Sequence, residues 1–287
     1  MQKKYFLNYS NKKYNRQRRI CTFTAYLFGK FDAIYSCTPK DVNIKFYNEN
    51  IQILSQERGN GYWLWKPYLI LEKLHSMNTG DILMYCDSGC VLIKNPTELI
   101  ELTEKYNQDI IGFELSLIEH QWSKKELTDY MNSDDDDLNS PQIITTVFIV
   151  KKSEKSMAFF EEFLELSKNE ILLTDKHIPE YIQHADYITH RHDQSIFSLL
   201  YKKYKLIPFK DPTQYGKYPN RYSGLTNPNS INLTKNVIHT LSSGRKLIIK
   251  DYIEDYPIFF LQIRKLAFIR HFLSYIKHKL FSHEKNK

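Results

Sequence analysis

The sequence predicts an α/β layered fold with a mostly parallel central sheet flanked by helices, and three observations lead there. Apolar runs of strand length alternate with longer stretches of helical spacing from residue 5 to about residue 168. The clearest strand candidate, "DILMYC" at 81–86, breaks off at "DSG", and open α/β sheets bind ligands just beyond such carboxyl ends. A chain of 287 residues with 42% hydrophobic and 25% charged side chains carries enough apolar material for a core of that size.

Taken in order, "YFLNY" (5–9) reads as a buried strand and is followed by a basic segment from Lys12 to Gly29. "FDAIYSC" (31–37) reads as a second strand. In "WKPYLILEKLHSM" (65–77), Leu69, Ile70 and Leu74 fall on one face of a helix. After "DILMYC" come a helix near 95–106, a strand "DIIGFEL" (109–115) and the apolar run "QIITTVFIV" (142–150). A long helix runs from Ser153 to about Lys168. Residues 205–249, richer in Pro, Gly, Asn and Tyr, read as loops over one edge of the sheet. "SDDDDLN" (133–139) reads as a hydrated loop, because four adjacent acids do not converge on one ion.

The character changes again at Pro257. "PIFFLQIRKLAFIRHFLSYIKHKLF" (257–281) mixes aromatic and aliphatic residues with Arg264, Lys265, Arg270, Lys277 and Lys279, and holds no acid. At helical spacing this is a basic amphipathic helix, either packed on the domain or lying on an anionic membrane surface. The chain therefore divides into a body, 1–250, and a basic helical tail, 251–287.

A net charge of +7 predicts an anionic partner, and phosphorylated small molecules, nucleic acid and acidic lipid all qualify. Nucleic acid is disfavoured, since the unusual residues cluster at acidic strand ends rather than on one basic, aromatic face. Four cysteines, Cys21, Cys37, Cys86 and Cys90, form no CxxC pair and read as reduced, structural thiols in a reducing compartment. The opening "MQKKYFLNYSNKK" is too short in apolar residues for a signal peptide, and no run reaches the roughly 20 needed to cross a bilayer. These points lead us to expect a cytoplasmic body, peripheral to the inner face of a membrane through its tail.

Three blocks concentrate residues that do chemistry. In "RGNGYWLWKP" (58–67), two of the chain's 9 glycines and two of its 3 tryptophans stand between Arg58 and Lys66. Such a segment suits a pocket wall, although large aromatics are as easily core; Trp63 and Trp65 are expected to divide, one buried and one at the pocket. In "GDILMYCDSG", Asp87 sits at a strand end beside Ser88 and Gly89. That triplet is ordinary turn chemistry, and it also suits a carboxylate that holds a divalent cation against a diphosphate, with Gly89 allowing close approach or positive φ. In "YITHRHDQSIF" (187–197), His190, Arg191, His192 and Asp193 precede Gln194 and an apolar helix. A carboxylate there caps a helix, but a cap needs neither two histidines nor an arginine.

The order and spacing of these blocks resemble nucleotide-sugar-dependent glycosyltransferases of the GT-A fold, of the bacterial kind encoded with capsule and lipopolysaccharide genes. The resemblance covers about residues 3–245. It implies a donor pocket for a nucleotide sugar, a UDP-sugar, at the loop after the first strand, where Tyr9 and Ser10 would contact the base and Arg19 the phosphates. Arg58, Trp63, Trp65 and Lys66 would shape the donor pocket, with Ser88, Gly89, His192 and Arg245 also contacting donor. Asp87 would be the surviving member of an Asp-x-Asp metal motif whose second acid is here Gly89, with His239 as a further ligand for Mn²⁺ or Mg²⁺. Asp193 would act as general base on the acceptor hydroxyl if configuration inverts, and Gln194 would face the sugar if it is retained. The acceptor would be a glycan or lipid-linked glycan, and a non-catalytic carbohydrate- or nucleotide-binding protein is the alternative.

Overall fold

The computed structural model describes residues 2–217 and 258–263. The first strand, β1 (Lys4–Tyr9), leads through a turn capped by Asn11 into helix α1 (Asn15–Phe28), which buries Cys21, Thr24 and Ala25 against the sheet. Then follow β2 (Ala33–Cys37), helix α2 (Trp65–His75), β3 (Ile82–Cys86) and β4 (Cys90–Leu92). Strands β5 (Ile110–Ile111), β6 (Phe113–Ile118), β7 (Pro141–Ile143) and β8 (Val147–Lys151) precede helix α3 (Glu154–Lys168). Helix α4 (Asp193–Lys203), β9 (Phe209–Lys210) and β10 (Phe260–Gln262) complete the elements that matter below.

The central sheet has the order β2-β1-β3-β8-β5. β1 is parallel to β2 and β3, while β8 is antiparallel to both β3 and β5, so four of the five strands run one way. The reversal of β8 brings its leading residues to the carboxyl ends of β1 and β3, with Cys86 opposite Val147. The Asp87 amide donates to the Thr146 carbonyl at 2.7 Å, closing this edge. Two smaller sheets, β7-β6-β9 and β10-β4, extend the body.

All five residues of β3 are buried, which is why it reads as a continuous apolar run rather than an alternating one. Leu83 and Tyr85 face one core, built with Phe148, Phe160 and Phe197 from β8, α3 and α4. Ile82, Met84 and Cys86 face the other, with Phe6, Cys21 and Ile149. Cys21, Cys86 and Cys90 are buried free thiols, and Cys37 is a half-buried one. Burial pushes the Cys86 thiol well above its ordinary value.

Several expectations are corrected. The run "DIIGFEL" is two strands, broken at Gly112, where a Cβ would stand 2.7 Å from the Tyr201 ring and 2.8 Å from Ile143. "QIITTVFIV" is likewise β7 and β8, which belong to different sheets. The helix expected near 95–106 is two single turns, Thr97–Ile100 and Leu102–Lys105. The acidic run forms a turn of helix, Asp135–Leu138, because the Asp134 side chain accepts from the Asp137 amide and the acids sit at the favourable dipole end. The start of the expected tail helix is instead β10, paired antiparallel with β4, and Phe259, Phe260 and Ile263 are buried in the body. The rest of the tail lies outside the described residues. Among the described residues no helix is long and apolar enough to cross a membrane.

Candidate functional site

The segment before α2 is built on an unusual backbone. Gly59, Asn60, Gly61, Tyr62 and Trp63 have φ of 59, 57, 90, 48 and 62° in succession, a left-handed turn. Each non-glycine residue there costs about 1–2 kcal/mol, so two of the five positions being glycine relieves the strain. Gly61 is required twice over, because a Cβ would meet the Leu54 Cα at 2.6 Å. The turn is held by Tyr62 N–H to the Arg58 carbonyl (2.7 Å) and Gly61 N–H to the Gln56 carbonyl (2.8 Å). Side chains clamp it as well: the Trp65 indole N–H donates to the Gly59 carbonyl, and Asn60 Nδ2 donates to the Tyr9 hydroxyl. The two tryptophans divide as a result. Trp65 is buried and stacks on Tyr9 with centroids 3.7 Å apart, whereas Trp63 lines a cavity.

That cavity, of about 320 Å³, lies beyond the carboxyl end of β3 and takes Arg58, Trp63 and Lys66 from the first block, Asp87 from the second, and His192, Asp193 and Gln194 from the third. Its floor is one ammonium between two carboxylates. Lys66, 1% exposed, places Nζ 2.6 Å from Asp193 Oδ2 and 3.4 Å from Asp87 Oδ1. Nζ also donates to the Thr145 carbonyl at 3.3 Å, and the Thr145 hydroxyl donates to Asp193 Oδ2 at 3.0 Å. The Tyr85 hydroxyl donates to Asp87 Oδ1 at 2.6 Å. Burial works against the Lys66 charge, but the carboxylates of Asp193 and Asp87 outweigh it and hold the ammonium above the ordinary lysine value. Burial pushes the Asp87 carboxyl up, opposed by Lys66 and Tyr85, and pushes the Tyr85 phenol well up.

The outer wall comes from the segment between residue 174 and α4. Lys124 Nζ donates to the carbonyls of Thr174 and Lys176, both at 2.7 Å, and Glu126 accepts from the Ile178 amide and Gln183. So tethered, Asp175 pairs with Arg58 at 2.8 Å and accepts from the Tyr62 hydroxyl at 2.9 Å. His192, at φ 55°, stacks on Trp63 with centroids 5.6 Å apart. Its Nδ1 faces the Leu173 carbonyl at 2.9 Å, so Nδ1 carries the proton and Nε2 keeps its lone pair. Burial pushes the His192 imidazole down to about 4, and pushes His190 well below the histidine range. Arg191 lies over the Trp122 ring at 4.4 Å.

The other expected contacts fall elsewhere. Ser88 Oγ donates to the Tyr9 carbonyl at 2.6 Å and ties the β3 turn to β1. Gly89 does not take positive φ; its carbonyl accepts from the Ile263 amide at 2.6 Å, and a Cβ there would meet no atom within 4 Å. Tyr9 is committed to Trp65 and Asn60, and the Ser10 hydroxyl is buried with no hydrogen-bond partner among the described residues. Arg19 is exposed on α1, away from the cavity wall; the neighbouring Arg18 turns inward to Ser36. Asp193 opens α4, as a cap would, yet its carboxylate serves Lys66 and Thr145. His239 and Arg245 lie outside the described residues. Thr145, Asp175, Gln142 and Tyr85 were not singled out in the sequence, where isolated polar residues in apolar or loop surroundings carry no spacing signal.

A divalent cation is not fitted by the described residues alone. No group of three His, Cys, Asp or Glu side chains converges among them, and the cation nearest Asp87 is the Lys66 ammonium.

No protein family and no curated protein sequence matches the chain. Among solved structures, the galactosyltransferase LgtC in complex with donor and acceptor sugar analogs is similar at 11% identity, with a TM-score of 0.47 over 92% of this chain and 88% of that one. The bifunctional glycosyltransferase WbbM gives 10% identity and a TM-score of 0.48, over 92% of this chain and 46% of WbbM. Mouse xyloside xylosyltransferase 1 gives 10% identity and a TM-score of 0.43, over 90% and 97% of the two chains.

Two outcomes follow from the electrostatics. Lys66→Met leaves the buried Asp193 carboxylate and the half-buried Asp87 carboxylate without their shared ammonium and is expected to cost about 3–5 kcal/mol in a urea titration at neutral pH. His192 has a folded value below its unfolded one, so its contribution to stability is full above the ordinary histidine value and is lost as pH falls towards about 4. The urea midpoint is expected to fall between pH 7 and pH 5, and His192→Asn to fall less steeply; an unchanged slope in the variant contradicts the assignment.

Proposed function

We propose that the protein is a glycosyltransferase that moves a hexose-type sugar from a nucleotide diphosphate donor, a UDP-sugar, to a surface-glycan acceptor. The observation that carries this reading is the meeting of Lys66, Asp87, Asp193 and Gln194 in one cavity at a sheet edge, with Trp63 on its wall. An indole face suits a sugar or base ring, and Arg58 and Arg191 supply cations toward a diphosphate. Lys66 is the hub that sets both carboxylates in place.

In this reading catalysis is chiefly positioning. Asp193 binds Lys66 and Thr145 through Oδ2, which leaves Oδ1 to take the proton of an acceptor hydroxyl as its oxygen attacks the anomeric carbon and the diphosphate departs. Gln194 is the group beside the sugar if configuration is retained. A divalent cation would neutralise charge on the leaving diphosphate; Asp87 would hold it, with His239, which lies outside the described residues. One observation favours a second reading, a binder without turnover: the Lys66 ammonium already occupies the space between the two carboxylates.

We place the protein at the inner face of a membrane. The sequence of 264–287 supports this, and so does the free face of α1. Phe23 (50% exposed), Tyr26 (77%) and Leu27 stand there with Arg16, Arg19 and Lys30, and residues 12–31 hold no acid. Apolar side chains flanked by cations suit an anionic bilayer surface.

Two measurements test these proposals. UDP release from UDP-glucose, UDP-galactose and UDP-N-acetylglucosamine, with Mn²⁺ and with EDTA, is expected for at least one donor, and Asp193→Asn is expected to lower kcat by about 10²–10⁴-fold. Thermal stabilisation by UDP without release supports the binder instead. Phe23→Ser with Tyr26→Ser is expected to weaken cosedimentation with vesicles containing phosphatidylglycerol while the melting temperature holds; unchanged binding removes α1 from the membrane face.

A further inference from the structure

Behind the cavity lies a row of buried polar side chains that the mechanism above does not use. Glu119, fully buried just after β6, accepts on Oε2 from Lys202 Nζ at 2.6 Å and the Ser198 hydroxyl at 2.5 Å. On Oε1 it accepts from the Ser123 hydroxyl at 2.5 Å and from Gln142 Nε2 at 2.9 Å. Gln142 Nε2 also lies 3.0 Å from Ser123 Oγ and 3.3 Å from Ser195 Oγ. Gln142 Oε1, at the other side of its amide, accepts from Gln194 Nε2 at 2.8 Å.

The direction of this row is fixed by chemistry. A carboxylate paired with an ammonium only accepts. The two hydroxyls beside Gln142 have spent their protons, Ser123 on Glu119 and Ser195 on the Trp122 carbonyl at 2.8 Å, so they too offer only lone pairs. Three acceptors therefore surround one end of the Gln142 amide, and that end must be NH₂. Its carbonyl oxygen then faces Gln194, which must answer with its own NH₂. The Gln194 carbonyl oxygen is left on the opposite side of an amide that lines the cavity.

We infer that Gln142, locked by Glu119, is a positioning residue that holds the Gln194 amide with its carbonyl oxygen toward the ligand. The inference rests on reading the cavity as a glycosyl-transfer site, and it deepens that reading. An amide oxygen accepts from a hydroxyl or faces an electron-poor carbon, and it repels phosphate oxygens. The sugar therefore lies against Gln194, and the diphosphate lies on the side of Arg58 and Arg191. Without the row, the amide can flip and present two N–H donors instead, which would suit the leaving group rather than the sugar.

The test is a double-mutant cycle with a spectroscopic readout. Gln142→Met keeps the length of the side chain and removes the amide. It is expected to lower kcat for the UDP-sugar about 10- to 100-fold, with the donor KM within about twofold, and to have no further effect in a Gln194→Ala background. In protein labelled with ¹⁵N at glutamine side chains, the Gln194 NH₂ signals are expected to be protected from solvent exchange and to lose that protection in Gln142→Met. Where Gln142→Met does not fold, Glu119→Gln serves, because an amide at 119 can offer N–H and release the direction of the row. Equal losses with and without Gln194, or Gln194 signals that do not change, overturn the inference. If Gln194→Ala leaves turnover intact, the role assigned here falls while the transferase reading stands; if no UDP-sugar is turned over, the transferase reading falls, and the amide signals still decide the orientation.

Discussion

The cavity depends on one charge held away from water. Lys66 is nearly inaccessible, and an isolated ammonium at that depth would lose its proton or stay outside the fold. It remains charged because Asp193 and Asp87 approach it from two other elements, the start of α4 and the end of β3. The contact fastens α2, β3 and α4 at a single point, and it fixes which oxygens of each carboxylate are occupied and which remain for a ligand. A buried ion pair adds little net stability compared with apolar packing, so specificity of geometry is the better account of its presence.

Two features of the chain bring these groups together. The reversal of β8 puts Thr145 and Thr146 beside Asp87, so that backbone carbonyls and a hydroxyl line the crevice where a parallel strand would present its far end. The left-handed turn at 59–63 then swings the chain so that α2 begins with Lys66 pointing into the same crevice. Strain of this kind survives only where surrounding contacts over-determine it, and here Tyr9, Trp65 and Asp175 supply those contacts.

Much of this was legible in the residues. "DILMYC" announces a doubly covered strand because every position after Asp81 is apolar, and the break at Asp87 marks the edge where the cavity lies. The three blocks were legible as unusual composition, and the cavity is where they meet. The breaks at Gly112 and at Ile144–Thr146 were not, since an apolar run looks the same whether it serves one sheet or two. Lys66 shows a further limit. Sequence reveals a cation before a helix, and only the fold reveals that two carboxylates claim it. Asp175, Glu119 and Gln142 carry no signature at all, because their meaning lies in partners far away along the chain.

Trp63 and His192 both sit at positive φ, and their rings lie flat against each other across more than a hundred residues of chain. Each strained backbone is thus propped by the other's side chain, like two leaning cards. A guest that wedged the indole aside would take one prop from residue 192 and leave the Leu173 carbonyl and the Tyr62 ring to hold the approach to α4.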